Sequence, residues 1–286
     1  MTLQSGFPAH LRVGTSSWSS EDWVGPFYPV GTRPTDFLAR YAERYDTVEI
    51  DSTWYHMPPA AVVDGWAAKT PEGFLFSAKV PKTITHDQGL VGCEQEMAEF
   101  VHRMDRLGDK LGPLLLQFEY VAKGKNAEEY RSGADFLARL APFLGALPTG
   151  HRFVVEVRNE QWLRPELTDL LRQHGVALAL TSYYTMPPVD RLLEKFDPAA
   201  AGFVYVRFLG HHRQMDATVK RLVAEGRRSS EWGELAVDRE AELRRWVPVL
   251  SGLGKLPKYV YFNNHYAGHA PGSIKLFESL WRSAVG

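Results

Sequence analysis

Apolar and polar positions alternate with a period of two in several short runs of this chain, and the polar half of the alternation is often charged. Along Val48-Glu49-Ile50-Asp51-Ser52-Thr53-Trp54-Tyr55, one strand face takes Val48, Ile50 and Ser52, and the other takes Glu49, Asp51 and Thr53. Lys79, Glu156, Arg158 and Arg207 interrupt other apolar, strand-like runs in the same way. One such run fits a sheet with a wet face. Their recurrence predicts strands that close on themselves, with apolar sides under helices and polar sides converging on one interior site.

In order, the pattern predicts a strand from Leu11 to Ser17, a helix from Pro34 to Tyr45 and the strand around Glu49. A helix from Pro59 to Lys69, a strand from Gly73 to Val80 and a loop over Thr83 to His86 follow. Cys93 to Lys110 is amphipathic and leads into the almost wholly apolar strand Leu111 to Phe118, as expected of a buried parallel strand. The second half predicts a polar turn from Lys123 to Asn126, a helix from Ala127 to Leu144, and a strand from Phe153 to Asn159. Pro165 to His174 reads as a helix ended by Gly175, Val176 to Ser182 as a strand, and Pro188 to Phe196 as a short helix. Phe203 to Gly210 is a strand, His211 to Trp232 a solvated polar excursion, and Leu235 to Leu250 a helix. Lys258 to Asn264 is the last strand before a helix from Pro271 to Ser283. Eight strands alternating with helices predict the α/β class and a (β/α)8 TIM-type barrel, with residues 1–286 as a single domain. The competing open doubly wound sheet normally begins with a G-x-G-x-x-G turn, a spacing that Gly14-Thr15-Ser16-Ser17 lacks.

Composition narrows the function classes. Thirty-three Lys and Arg against 34 Asp and Glu leave no global basic field of the kind that non-specific nucleic-acid binding uses. The one cysteine, Cys93, excludes an intramolecular disulfide and the usual multi-cysteine zinc sites, which fits a reducing compartment. No apolar run approaches the roughly 20 residues of a membrane span, and no secretory leader is visible, so a cytoplasmic protein is expected.

Several motifs carry a family resemblance. Gly14-Thr15-Ser16-Ser17-Trp18, Phe27-Tyr28-Pro29, the segment Val48 to Tyr55, Ile84-Thr85-His86, Leu111 to Gln117, Glu156-Val157-Arg158 with Trp162, and Tyr261-Phe262-Asn263-Asn264 occur in order. Together they resemble the YecE-like family, domain of unknown function 72. The resemblance implies a TIM-type barrel and no particular reaction. The chain departs from the pattern at Ser17, where Gly is expected, at Asp51, where Asn is common, and at Leu209, where His is frequent.

Active sites of this fold gather at the C-terminal ends of the strands. There Glu49, Asp51 or Glu156 is a candidate base and His86 a candidate acid, because burial and neighbouring charge tune such groups. Lys79, Arg158 and Arg207 suit an anion, while Thr53, Gln117, Asn263 and Asn264 offer polar contacts. Trp18, Tyr28, Tyr55 and Trp162 are candidates for stacking on the flat part of a ligand, and the aromatic loop from Trp18 to Pro29 is expected to overhang the site. Histidines follow several strands, at 86, 211, 212, 265 and 269, but no H-E-x-x-H or H-x-x-E-H spacing occurs and no metal is expected. No G-x-S-x-G elbow marks an activated serine, and the residues name neither a cofactor nor an oligomeric state.

Two readings follow. One is an enzyme acting on a small polar, anionic metabolite such as a sugar derivative or nucleotide. The other is a binding protein for single-stranded nucleic acid, with Trp18, Trp23, Trp54 and Trp162 stacking bases and Lys220 to Arg228 on phosphates, which the charge balance disfavours. A structural alternative stands beside both: Glu49, Asp51 and Glu156 against Lys79, Arg158 and Arg207 sum to zero and would pair internally.

Overall fold

The computed structural model describes residues 6–121 and 132–285. The polar turn expected from Lys123 to Asn126 and the start of the helix expected from Ala127 lie outside these residues.

Strands β1 (Leu11–Thr15), β2 (Thr47–Ile50), β3 (Leu75–Lys79), β4 (Leu111–Gln117), β5 (Phe153–Glu156), β6 (Ala177–Leu178), β7 (Leu180–Tyr183), β8 (Val204–Gly210) and β9 (Lys258–Phe262) alternate with helices, the hallmark of an α/β chain. They form two all-parallel sheets, ordered β1-β9-β8-β7 and β2-β3-β4-β5-β6. The helices are α1 (Phe37–Tyr41), α2 (Ala60–Ala68), α3 (Glu94–Met104), α4 (Gly133–Ala146), α5 (Pro165–Gln173), α6 (Val189–Leu193), α7 (His212–Ala224), α8 (Glu240–Gly252), α9 (Asn264–Ala267) and α10 (Ala270–Val285). Their ends are set by local chemistry. Pro165 opens α5, where a missing N–H costs nothing, and Ser132 caps α4 by accepting from the Asp135 N–H at 3.2 Å.

Three expectations change. The loop over Thr83 to His86 is a turn of π-helix, Thr83–Asp87. The excursion from His211 to Trp232 folds largely as α7, whose buried Met215, Val219 and Leu222 recur at helical spacing and cover apolar neighbours. The sixth expected strand is divided at Ala179. The Ala179 N–H still donates to Val155 of β5 at 2.9 Å, whereas β7, one residue later, pairs with β8. A single residue therefore carries the chain from one sheet to the other.

At the opposite junction β1 and β2 run side by side without a backbone ladder, and a side chain supplies the missing bonds. The Tyr41 hydroxyl accepts the Thr15 N–H at 2.8 Å and donates to the Thr47 carbonyl at 3.0 Å. Gly14 permits that approach, because a Cβ there would stand 2.1 Å from the Thr47 carbonyl oxygen. Arg12 closes the lower edge, donating to Asp46 Oδ2 at 3.1 Å and to the Gly73 carbonyl at 2.9 Å.

Alternation then sorts the side chains. Val48, Ile50, Phe76 and Phe208 join the large core under the helices, while Leu115, Val154, Tyr205 and Tyr261 meet in a second, interior cluster between the sheets. Interior hydroxyls pair across it, Thr47 with Tyr261 at 2.8 Å and Ser77 with Tyr205 at 2.7 Å. Among the described residues no helix is long and apolar enough to cross a membrane.

Candidate functional site

One layer above those hydroxyls, β2, β5 and β8 project Glu49, Glu156 and Arg207 into the same interior. Arg207 donates through Nη2 to Glu49 Oε1 at 2.6 Å, through Nε to the same oxygen at 3.2 Å, and through Nη1 to Glu156 Oε2 at 2.6 Å. The Tyr205 hydroxyl donates to Glu49 Oε2 at 2.6 Å, and Arg158 Nε donates to Glu156 Oε1 at 2.8 Å. Every oxygen of the two fully buried carboxylates, and every nitrogen of the Arg207 guanidinium, is thus engaged. Burial by itself raises the Glu156 carboxyl, but the two guanidiniums outweigh it and hold the group at about 2. A carboxylate so stabilised is a poor proton acceptor near neutral pH. The base role expected of Glu49 and Glu156 competes with this pairing, since both carboxylates belong to the charge network that fixes Arg207 and Arg158.

The rim differs. Lys79, at the end of β3, is 7% exposed; its Nζ lies 3.3 Å from Asp51 Oδ1 and 4.5 Å from the centre of the Trp54 ring. Burial lowers its pKa; Asp51 opposes the shift, and Arg207 and Arg158 add to it. The same Trp54 meets His86 edge to face at 5.3 Å. His86 Nδ1 lies 2.7 Å from the Thr85 hydroxyl, and Nε2 stands 3.2 Å from Glu119 Oε1 without hydrogen-bond alignment. His86 in turn holds the Glu119 carboxyl below its ordinary value.

Arg158 is 9% exposed and stacks over the Tyr183 ring at 4.5 Å. Only its Nε is hydrogen-bonded among the described residues, which leaves both terminal nitrogens for another acceptor. Gln117, at the end of β4 beside Glu156, also makes no side-chain hydrogen bond among the described residues. The buried Thr181 hydroxyl has no partner either. His212 is pushed down to about 3 by burial, with the charges of His265, Arg158 and Arg207 adding to it, so it is a neutral imidazole here. Among the described residues no group of three or more His, Cys, Asp and Glu is placed to hold a metal ion.

Several expected ligand contacts are packing instead. Tyr28 is 1% exposed, stacks on Phe37 at 4.6 Å and donates to the Trp18 carbonyl at 2.6 Å. Trp18 packs edge-on against Trp66 of α2 and Phe76 of the outer core, and Trp162 stacks on Phe136 of α4 at 4.7 Å. Phe27 and Tyr28 of the loop from Trp18 to Pro29 turn under the helix layer, where Phe27 stacks on Tyr45 at 5.4 Å. Burying these apolar rings gains more than leaving them on a rim. Thr53 ties the chain together, donating to the Lys79 carbonyl at 2.6 Å, and Tyr55 is 57% exposed beside Trp54. Asn263 and Asn264 use their side-chain oxygens locally, on the His265 and Ala270 N–H groups at 3.0 and 2.9 Å.

Sequence reasoning assigned no role to Tyr205 or Glu119. Each lies two residues from a residue already singled out, Arg207 and Gln117, so the same period-two rule carried the signal. Ser17 holds φ at +149°, a conformation that L side chains seldom adopt. Ser17→Gly is expected to raise stability by about 1 kcal/mol, strain relief exceeding the added chain entropy. A urea midpoint at or below that of the parent would count against strain at this turn.

The fold and the site define an α/β protein whose strand ends enclose an ion network with an open cationic rim. The chain belongs to the family described as "Protein of unknown function DUF72", which matches residues 12–285. It is 31% identical over 152 residues to the UPF0759 protein YecE of Escherichia coli strain K12, covering 53% of this chain and 50% of that one. It is 25% identical over 168 residues to the UPF0759 protein YunF of Bacillus subtilis strain 168, covering 54% and 53%. The chain thus spans about half the length of the curated relatives it matches. A DUF72 family protein of Thermotoga maritima MSB8 superimposes with a TM-score of 0.71 at 25% identity, covering 95% of this chain and 99% of that one.

Proposed function

We propose that the two sheets close into one (β/α)8 barrel spanning the chain as a single domain, and that its C-terminal mouth is the active site of an enzyme acting on a small, polar, anionic metabolite. The observation that carries the functional reading is the contrast between two arginines. Arg207 has every nitrogen committed to carboxylates, whereas Arg158 is held by Nε alone and keeps two terminal donors. A largely buried fork of that kind suits a carboxylate or phosphate, and Lys79 adds a second cation. Asp51, paired with Lys79, and His86, packed edge-on against Trp54, are the acid–base groups of this reading, with Glu119 3.2 Å from His86. The Tyr41 bridge and the Ala179 crossover support closure, since each ties one sheet to the other. Burial of Trp23 and Trp162, and the packing of a half-buried Trp18 against Trp66 and Phe76, reduce the stacking platform that single-stranded nucleic acid would need. The lone, buried and unpaired Cys93 suits a cytoplasmic setting.

Thermal unfolding of the parent and of Arg158→Met, across sugar acids, sugar phosphates and nucleotides, tests the reading. A ligand that prefers the folded state raises the midpoint, and losing a fork that binds its charge should weaken that response about 10- to 100-fold in apparent affinity. The variant should still fold, because Glu156 keeps Arg207. An anion that stabilises parent and variant equally would refute the role of Arg158.

A further inference from the structure

Past the C-terminal ends of β1 and β9 lies a separate cavity of about 160 Å³, lined in part by Ser16, Ser17, Trp23, Asn263, Asn264 and His265. Several of its acceptors are already engaged. The carbonyl of Phe262 accepts from the Ser16 N–H at 3.0 Å, that of Ser17 from the Thr15 hydroxyl at 2.5 Å, and that of Asn264 from the Gly268 N–H at 2.7 Å. Asn263 Oδ1 takes the His265 N–H at 3.0 Å and His265 Nδ1 at 2.7 Å, while Asn264 Oδ1 takes the Ala270 N–H at 2.9 Å. The second ring nitrogen of His265 faces Asp216 Oδ1 at 3.0 Å.

What remains is a set of donors. The Ser16 hydroxyl and the Trp23 indole N–H are buried, 6% and 2% exposed, and neither has a partner among the described residues. Because the two asparagine oxygens are in use, each amide is left with its NH₂ as the unused end. Among the described residues no carboxylate lines the cavity. A buried donor without a partner is costly, so the Ser16 and Trp23 groups, with the two partly exposed asparagine amides beside them, call for an acceptor-rich occupant.

We propose that this cavity is an oxyanion subsite sized for a phosphoryl group, held by Ser16, Trp23, Asn263 and Asn264 through neutral donors. It stands apart from Arg158 in its residues. Joined to the anion reading of Arg158, on which this last step rests, it narrows the substrate class to a metabolite carrying two separated acidic groups.

The test is a titration with inorganic phosphate, followed by phosphorus NMR line broadening and by tryptophan fluorescence, since Trp23 and Trp232 both line the cavity. Asn264→Asp keeps the oxygen that caps Ala270 but exchanges the free NH₂ for a negative oxygen. It should fold normally and weaken phosphate about 10- to 100-fold or more. Ser16→Ala combined with Trp23→Phe should weaken it comparably with the ring packing retained. Arg158→Met should leave phosphate binding in place, and acetate should bind less well than phosphate. Absence of saturable binding to the parent, or unchanged binding in Asn264→Asp, overturns the proposal. Loss in Arg158→Met overturns it too: phosphate would then sit at the arginine, or span both places, and the cavity would not be a subsite of its own. Failure of the Arg158 reading appears separately, in the organic anions alone.

Discussion

Arg207→Met is expected to destabilise the protein by about 3 to 5 kcal/mol, because Glu49 and Glu156 would stay buried with their shared guanidinium removed. Equilibrium denaturation in urea measures the loss. Adding Glu49→Gln and Glu156→Gln should recover most of it, since the cost lies in uncompensated charge and not in the missing side-chain volume. If the triple variant is as unstable as the single one, packing around Arg207 is the cause and the charge argument fails. The network also sets an acid limit. With Glu156 held at about 2 in the folded protein and near an ordinary glutamate value of about 4.3 when unfolded, its stabilisation is complete above the unfolded value and drains away as pH falls towards the folded one. Removing Arg207 raises the folded value, so the variant should lose this contribution at higher pH than the parent does.

Gly14→Ala should be comparably damaging, at about 4 kcal/mol or more, for a reason unconnected with charge. The new methyl would stand 2.1 Å from the Thr47 carbonyl oxygen, 2.9 Å from its carbon and 2.9 Å from the Tyr41 hydroxyl. Two of those atoms are backbone and cannot rotate away, so β1 and β2 must separate and the Tyr41 bridge between Thr15 and Thr47 must open. Circular dichroism with urea unfolding reads the result. A variant within about 1 kcal/mol of the parent would mean that the two strands part without cost, contrary to the accounting for buried backbone groups. Gly65, where a Cβ would meet nothing, provides the control: alanine there should change little.

The split between Arg158 and Arg207 shows how far strand alternation reaches. Both were identified as cations in apolar strands, and both do point at the same interior, together with Glu49, Asp51, Lys79 and Glu156. Which of the two is saturated depends on the β8 side chain meeting β2 and β5 across the interior, 158 and 51 residues away in sequence. Tryptophan loops misled for a related reason. Trp18, Tyr28 and Trp162 occupy motifs that end strands, yet whether a ring faces a ligand or a helix depends on the turn that follows it, and apolar burial decided for the helix.

By itself the sequence determined the α/β alternation, nearly all of the strands and the inward set of charges, because these follow from a period of two and a helical period read within a few residues. It also held the spacing that makes α7 a helix, although the polar composition of that segment masked it. Tertiary structure alone decided the division of the sixth strand at Ala179, the Tyr41 bridge, the sealed state of Glu49 and Glu156, the free fork of Arg158 and the donor-lined cavity behind Ser16. Each of these is a pairing between groups far apart in the chain, fixed by the angle at which packed elements meet, and no local periodicity encodes that angle.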